Sequence, residues 1–150
     1  MNSTLLKDIV ESMFEALNDG DYGAFLSYFD EDLVFIHSEG TLNKQQLTKF
    51  YNRIDSIFID NHHMIERIIV EENTVVVDCT WSGTHIGVYN GIKPSNRYFE
   101  IPAVWLFNFH EGNVGYAKRL VDNHIFTRLV HMESFDKIID YVASSRPGNR

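Results

Sequence analysis

The spacing of apolar residues changes its period near the middle of the chain. Before Asp60, apolar residues recur every three or four positions, as on one face of an amphipathic helix. The short polar stretches between these runs carry side chains that can cap helices. This part therefore predicts a helix over 5–17, a short helix capped by Asp21, a strand over 33–38 and a third helix capped by Asn43 and Gln46.

After Asp60 the period becomes two, which is typical of β-strands. The pattern predicts two hairpins over 62–83 and 97–123, and the second turns at Glu111–Gly112. Some strand segments, such as 103–107, are apolar on both faces, so one face must meet the helices and the other a cavity or a subunit partner. Beyond the hairpins we expect an extra helix over about 134–143 and a flexible tail over 144–150.

This order of elements predicts one domain over 1–150, of the α+β class. We expect the N-terminal helices to pack over a curved antiparallel sheet that forms a cone-shaped, half-open barrel. The interior of such a cone is a natural place for a ligand pocket. A homodimer through the convex face of the sheet is also predicted, because the apolar side chains of Val76, Val104 and Leu106 would otherwise be exposed to water there.

Charge and composition restrict the partners. The chain has 21 acidic and 13 basic residues and a formal charge of −8, and a nucleic-acid backbone would be repelled by that balance. Asp8 and Glu11 interrupt the first apolar pattern, and no apolar run is long enough for a membrane span. We therefore expect a cytoplasmic protein that binds neither nucleic acid nor membrane. Cys79 is the single cysteine, which excludes an internal disulfide and a cysteine-based zinc cluster.

Four segments resemble the SnoaL-like polyketide cyclase family of the nuclear transport factor two-like superfamily. The most specific carries the Gly-Thr-His-x-Gly run at 83–87, and together they cover about residues 5–131. The resemblance implies the cone-shaped fold, a small and largely apolar ligand, and cyclase or isomerase chemistry that needs no metal or cofactor. The four segments are FDEDLVFIHSEG, FYNRIDSIFIDNHHMIERIIVEENTVVV, WSGTHIGVYNGIKPSNRYFEI and EGNVGYAKRLVDNHIFTRLV.

Asp122 matches the family carboxylate that moves a proton next to a carbonyl, so the resemblance implies a general acid/base there. A carboxylate in an apolar cavity loses solvation, which raises its pKa toward neutral pH. The alternative is structural, because an aspartate at a strand end can cap a helix that starts at Asn123. The sequence leaves both interpretations open.

Further candidates for ligand contact lie on the strands around Asp122. Tyr116 and Lys118 share its face if the strand is regular, although Lys118 is also suited to the rim of a pocket. A two-residue turn at Glu111–Gly112 would set Trp105 and Phe107 beside Asp122, whereas a three-residue turn would set Glu100 there. The full set of predicted ligand contacts is His37, His85, Trp105, Phe107, Tyr116 and Lys118.

Two of these candidates are histidines with different contexts. His37 lies in a strand that faces the pocket in the family, while His85 in the Gly-Thr-His-x-Gly run is expected mainly to hold a bend. No pair of histidines has the spacing of a helical metal site, so no metal is predicted. Two functions stay open: an enzyme that uses Asp122, or a non-catalytic ligand-binding or dimerisation module. An open cavity containing Asp122 would favour the enzyme, and one filled by aromatic side chains would favour the module.

Overall fold

Helices from the N-terminal part cover one face of a six-stranded sheet in the computed structural model, which describes residues 2–37 and 40–131. The predicted helix over 134–143 and the tail over 144–150 lie outside the described residues. In chain order the elements are α1 Ser3–Asn18, α2 Tyr22–Leu26, β1 Phe29–His37, β2 Gly40–Leu42, α3 Lys44–Arg53, a 3-10 turn Ile54–Ser56, β3 Phe58–Glu71, β4 Thr74–His85, β5 Tyr98–His110, β6 Asn113–Val121 and α4 Asn123–His131.

The predicted helix caps are present as hydrogen bonds. At the start of α3, the Gln46 backbone N–H donates to Asn43 Oδ1 at 2.8 Å, and the Asn43 N–H donates to Gln46 Oε1 at 2.9 Å. At the start of α2, the Ala24 N–H donates to Asp21 Oδ1 at 3.1 Å. These bonds satisfy backbone donors that have no partner inside the helix, so the two helices begin where the sequence predicts.

The strands run in the order β2-β1-β6-β5-β4-β3. All neighbours are antiparallel except β1 and β6, which pair in parallel. The predicted α+β fold with a curved, unclosed sheet is confirmed, but the sheet is mixed and not wholly antiparallel. The reason is connectivity: a tight turn forces consecutive strands to reverse direction, and no turn joins β1 to β6.

The turn between β5 and β6 has two residues, since His110 pairs with Asn113. Glu111 and Gly112 have φ values of 51° and 87°, the left-handed conformation that two-residue hairpins of this kind require. The two-residue alternative is therefore the correct one. Trp105 and Phe107 point into the core, and both are fully buried.

Strand β6 contains a β-bulge that changes which of its residues face inward. Asn108 pairs with Tyr116 and Phe109 pairs with Val114, which leaves Gly115 as an extra residue. After the bulge, the buried positions are Ala117 and Arg119, so Tyr116 and Lys118 lie on the outer face. The prediction that Tyr116 and Lys118 face the cavity is wrong, because it assumed a regular alternation through Gly115.

The Gly-Thr-His-x-Gly run includes the last residues of β4 and packs against the 3-10 turn that follows α3. The N–H groups of Ile86 and Gly87 donate to the Ile57 carbonyl oxygen at 2.8 and 3.1 Å, and a Cβ on Gly87 would collide with the Ser56 carbonyl oxygen. Glycine is therefore needed at 87 for this close approach. None of the described helices combines the length and apolar composition that a membrane crossing would require.

Candidate functional site

A cavity of about 180 Å³ lies between α3 and the inner face of the sheet. Its wall is largely aromatic and aliphatic, and a few polar groups converge on it from β1, α3, β3 and β6. Such a composition is typical of pockets for small molecules. The lining residues are Phe35, His37, Leu42, Leu47, Phe50, Tyr51, Ile54, Phe58, Asn61, His63, Trp81, Tyr89, Asn90 and Arg119.

Arg119 is the charged residue of this lining, and it is only 7% exposed. It pairs across the sheet with Trp105, so both side chains point inward. The guanidinium carbon lies 4.5 Å from the centre of the Trp81 ring and 5.3 Å from that of Trp105. Cation–π attraction to two indole rings stabilises the charge in a place that water hardly reaches.

His63 stands next to Arg119 and is held there by the end of α1. The Asn18 side chain accepts a hydrogen bond from the His63 N–H at 2.8 Å and donates one to the His63 carbonyl oxygen at 2.9 Å. Arg119 Nη2 lies 3.2 Å from His63 Nε2. Because arginine can only donate, Nε2 must accept, and the proton of the neutral imidazole lies on Nδ1.

His37, His63 and Tyr51 of the lining are neutral near pH 7. Burial, the charge of Arg119 and the proximity of His62 lower the pKa of His63 well below its usual value. Burial and the charge of Arg119 lower the pKa of His37 from 6.5 to about 4. Burial raises the pKa of Tyr51 above its usual range. The lining contains no Asp or Glu, so it carries the single positive charge of Arg119.

Asn61 is oriented by Trp81, whose indole N–H donates to Asn61 Oδ1 at 2.6 Å. The Asn61 side chain is also a hydrogen-bond partner of Tyr22. The bond to Asn61 fixes the Trp81 ring, on which Arg119 lies. Asn61, His63 and Arg119 lie on neighbouring walls of one cavity.

Of the residues predicted to contact a ligand, the structure places one in this lining: His37. Trp105 and Phe107 point inward but fill the core behind the cavity. Tyr116 and Lys118 lie on the outer face of β6. His85 is buried outside the lining, where its Nδ1 lies 3.0 Å from Ser95 Oγ at the bend after β4.

Asp122 is exposed and lies outside the lining. Its Oδ1 accepts hydrogen bonds from the backbone N–H groups of His124 and Ile125, at 2.9 and 3.1 Å. These bonds cap α4, which begins at Asn123, and they correspond to the structural alternative for this residue. The catalytic role of Asp122 stays a prediction, and its side chain is exposed instead of enclosed in the cavity.

Within residues 2–37 and 40–131, no group of three or more His, Cys, Asp or Glu side chains is placed to hold a metal ion. Cys79 is buried, and its thiol lies 3.3 Å from the Ala103 carbonyl oxygen. Burial raises the pKa of the Cys79 thiol to about 12, so it remains protonated at neutral pH. Cys79 is a core residue and does not line the cavity.

Reasoning from the sequence missed six polar residues of the lining: Tyr51, Asn61, His63, Tyr89, Asn90 and Arg119. A signal for Arg119 existed, because an isolated glycine inside a strand pattern, here Gly115, indicates a bulge. The pair of histidines at 62 and 63 indicated that one of them faces inward. No local pattern indicated that His63 and Arg119 would meet across the sheet.

The architecture agrees with the comparisons to known proteins. The model of the SnoaL-like polyketide cyclase family matches residues 7–127. TsrD from Streptomyces laurentii is 19% identical with a TM-score of 0.77, over 87% of this chain and 98% of TsrD. AclR, a proposed hydroxylase from Streptomyces galilaeus, is 20% identical with a TM-score of 0.76, over 88% of this chain and 100% of AclR.

IdmH, a proposed polyketide cyclase from Streptomyces antibioticus, is 18% identical with a TM-score of 0.71, over 84% of this chain and 98% of IdmH. Similarities at such identities show the fold alone. No curated protein sequence matches the chain. The family model extends from α1 into α4 and so includes every residue of the cavity lining. The chain therefore belongs to the SnoaL-like polyketide cyclase family.

Proposed function

We propose that this protein binds a small, largely apolar molecule in the cavity between α3 and the sheet. The observation that carries the proposal is the lining itself, an aromatic and aliphatic wall onto which a few polar groups converge. The volume of about 180 Å³ suits a bicyclic or smaller molecule. Aromatic side chains such as Phe50, Phe58 and Trp81 would contact the faces and edges of a ring system.

Binding can be tested with 2-naphthamide, a neutral bicyclic probe. Trp81 lines the cavity, so occupancy should change the tryptophan fluorescence of the protein. In a matched pair of variants, Leu47→Trp adds bulk to the lining and Leu120→Trp adds the same ring to the exposed outer face. We expect Leu47→Trp to abolish binding and Leu120→Trp to preserve it, with melting temperatures measured for both. Equal binding by the two variants would contradict the proposal.

A second candidate function is proton transfer on the bound molecule without metal or cofactor, and membership of the polyketide cyclase family favours it. The sequence nominates Asp122 for this step. We assign the step instead to the neutral imidazole of His37, because it lines the cavity and Asp122 does not, whereas the Nε2 of His63 already accepts from Arg119. Arg119 would stabilise the enolate that forms when a proton leaves the carbon next to a carbonyl.

This candidate can be tested by hydrogen–deuterium exchange of 2-tetralone, a bicyclic ketone with acidic protons next to its carbonyl group. The protein should accelerate the exchange, as followed by nuclear magnetic resonance in deuterated buffer. His37→Gln, which should lose the acceleration, should be compared with Asp122→Asn, which should keep it. Loss of the acceleration only in Asp122→Asn would restore the carboxylate as the acid/base, and no acceleration by the wild type would favour the non-catalytic module.

We also propose that the protein forms a homodimer through the outer face of the sheet. Val104 and Leu120 pair across β5 and β6 on that face and are 36% and 52% exposed. Val76 and Leu106 pair beside them across β4 and β5. Cover by the same surface of a second copy would remove this apolar patch from water.

A further inference from the structure

Arg119 is a buried cation with no acidic partner in the described part of the chain. The salt bridges found there join Lys44 to Glu31, Arg67 to Asp78 and His110 to Glu111. The Arg119 side chain has five N–H donors, and its one hydrogen bond runs to a neutral imidazole. Burying a charge without a partner of opposite sign is strongly unfavourable, so such a group usually marks a place where an anion binds.

His63 holds Arg119 at the wall of the cavity. Its Nε2 accepts a hydrogen bond from Arg119 Nη2 at 3.2 Å, and the Asn18 side chain fixes the His63 backbone. The Nδ1 atom of His63 carries the proton but is enclosed by the protein, so it does not reach a molecule in the cavity. A neutral apolar molecule would leave the charge of Arg119 without a counter-ion.

The surroundings of Arg119 favour a planar anion. Its guanidinium lies over the Trp81 and Trp105 rings, at 4.5 and 5.3 Å from their centres, which restricts its orientation. A guanidinium fork matches the two oxygens of a carboxylate and can donate to both. Asn61 accepts from the Trp81 indole and so fixes the ring on which the guanidinium lies.

We propose that Arg119, positioned by His63, forms an anion-binding subsite and that the natural ligand of the cavity is an aromatic molecule of at most two rings with a carboxylate or similar planar anionic group. The inference rests on the proposed function, since it concerns the same cavity. It adds the charge of the ligand and the residue that recognises it. The aromatic wall would contact the ring system, and the anionic group would point toward β6.

The test compares two probes of the same shape, 2-naphthoate and 2-naphthamide, which differ in charge. The wild-type protein should bind the carboxylate about tenfold to a hundredfold more tightly than the amide, as expected for a charge-assisted hydrogen bond in a buried site. Arg119→Met should remove this preference, so that the two probes bind with nearly equal affinity. Arg119→Lys should retain only part of it, because lysine lacks the planar fork.

Lys118→Met is the matched control, since it removes the adjacent positive charge from the outer face of the same strand. We expect this variant to keep the full preference for 2-naphthoate. A preference lost in Lys118→Met, or kept in Arg119→Met, would overturn the assignment to Arg119.

The wild-type comparison needs no variant, so it decides the question even where Arg119→Met does not fold. Equal affinities for 2-naphthoate and 2-naphthamide would overturn the anion subsite and leave the proposed function intact. Failure of both probes to bind would contradict the proposed function, and the anion subsite with it. The two failures are therefore distinguishable from one set of titrations.

Discussion

Acidification should destabilise this protein through His37, whose imidazole lies half-buried in the cavity lining. Burial and the charge of Arg119 lower its pKa from 6.5 to about 4 in the folded state. Between these two values the unfolded chain binds a proton that the folded chain does not bind. The contribution of His37 to stability is therefore complete above about pH 6.5 and is lost as the pH falls toward 4.

The size of the effect follows from the two pKa values. At about pH 5 the unfolded imidazole is mostly protonated and the folded one mostly neutral. Integrating the difference in bound protons from neutral pH to that point gives a loss of about 2 kcal/mol in the free energy of unfolding. His63 acts in the same direction because its pKa is also lowered, so the total loss should be larger.

The assay is urea-induced unfolding at about pH 7.5 and about pH 5, followed by tryptophan fluorescence. His37→Gln removes the titrating group and keeps His63, so the wild type should lose about 2 kcal/mol more than this variant on acidification. His110→Gln replaces an exposed imidazole and should behave as the wild type. The same loss in the wild type and in His37→Gln would refute the reasoning.

Three further predictions concern other parts of the fold. Gly87→Ala should lower the free energy of unfolding by about 2 kcal/mol or more, because its methyl group would overlap the Ser56 carbonyl. Gly23→Ala in α2 is the control, and it should be nearly neutral in the same urea titration. Asp122→Ala should lose about 1 kcal/mol with the cap of α4 but keep its affinity for 2-naphthamide in fluorescence titrations. Val104→Asp should convert a dimeric wild type to monomers in sedimentation velocity, and a monomeric wild type would contradict the dimer.

The helices and hairpins were predictable because their signals are local. Asn43 and Gln46 identify the start of α3 within four residues, and Glu111–Gly112 marks the position of a turn, although the sequence left its length of two or three residues open. The parallel pairing of β1 with β6 has no such signal. It joins segments that are more than eighty residues apart, such as Phe35 and Ala117, and depends on the packing of the whole sheet.

The candidate site was less predictable because its members come from distant parts of the chain. Asn18 at the end of α1 fixes His63 on β3, and His63 then meets Arg119 on β6. To predict these contacts, one must know which side chains of β3 and of β6 point toward the inner face of the sheet. The sequence pattern correctly pointed Trp105 inward, but on β6 it pointed Lys118 inward instead of Arg119.

That error has a single physical origin, the extra residue at Gly115. In a regular strand Lys118 would face the cavity and Arg119 would face outward, so the bulge decides which of two cations lies inside. The choice matters chemically. An ammonium group is a compact, strongly hydrated charge, whereas a guanidinium can lose most of its water while lying over Trp81 and still present a planar set of donors. The bulge thus selects the cation that can remain buried without an acidic partner, which is the property that an anion-binding cavity requires.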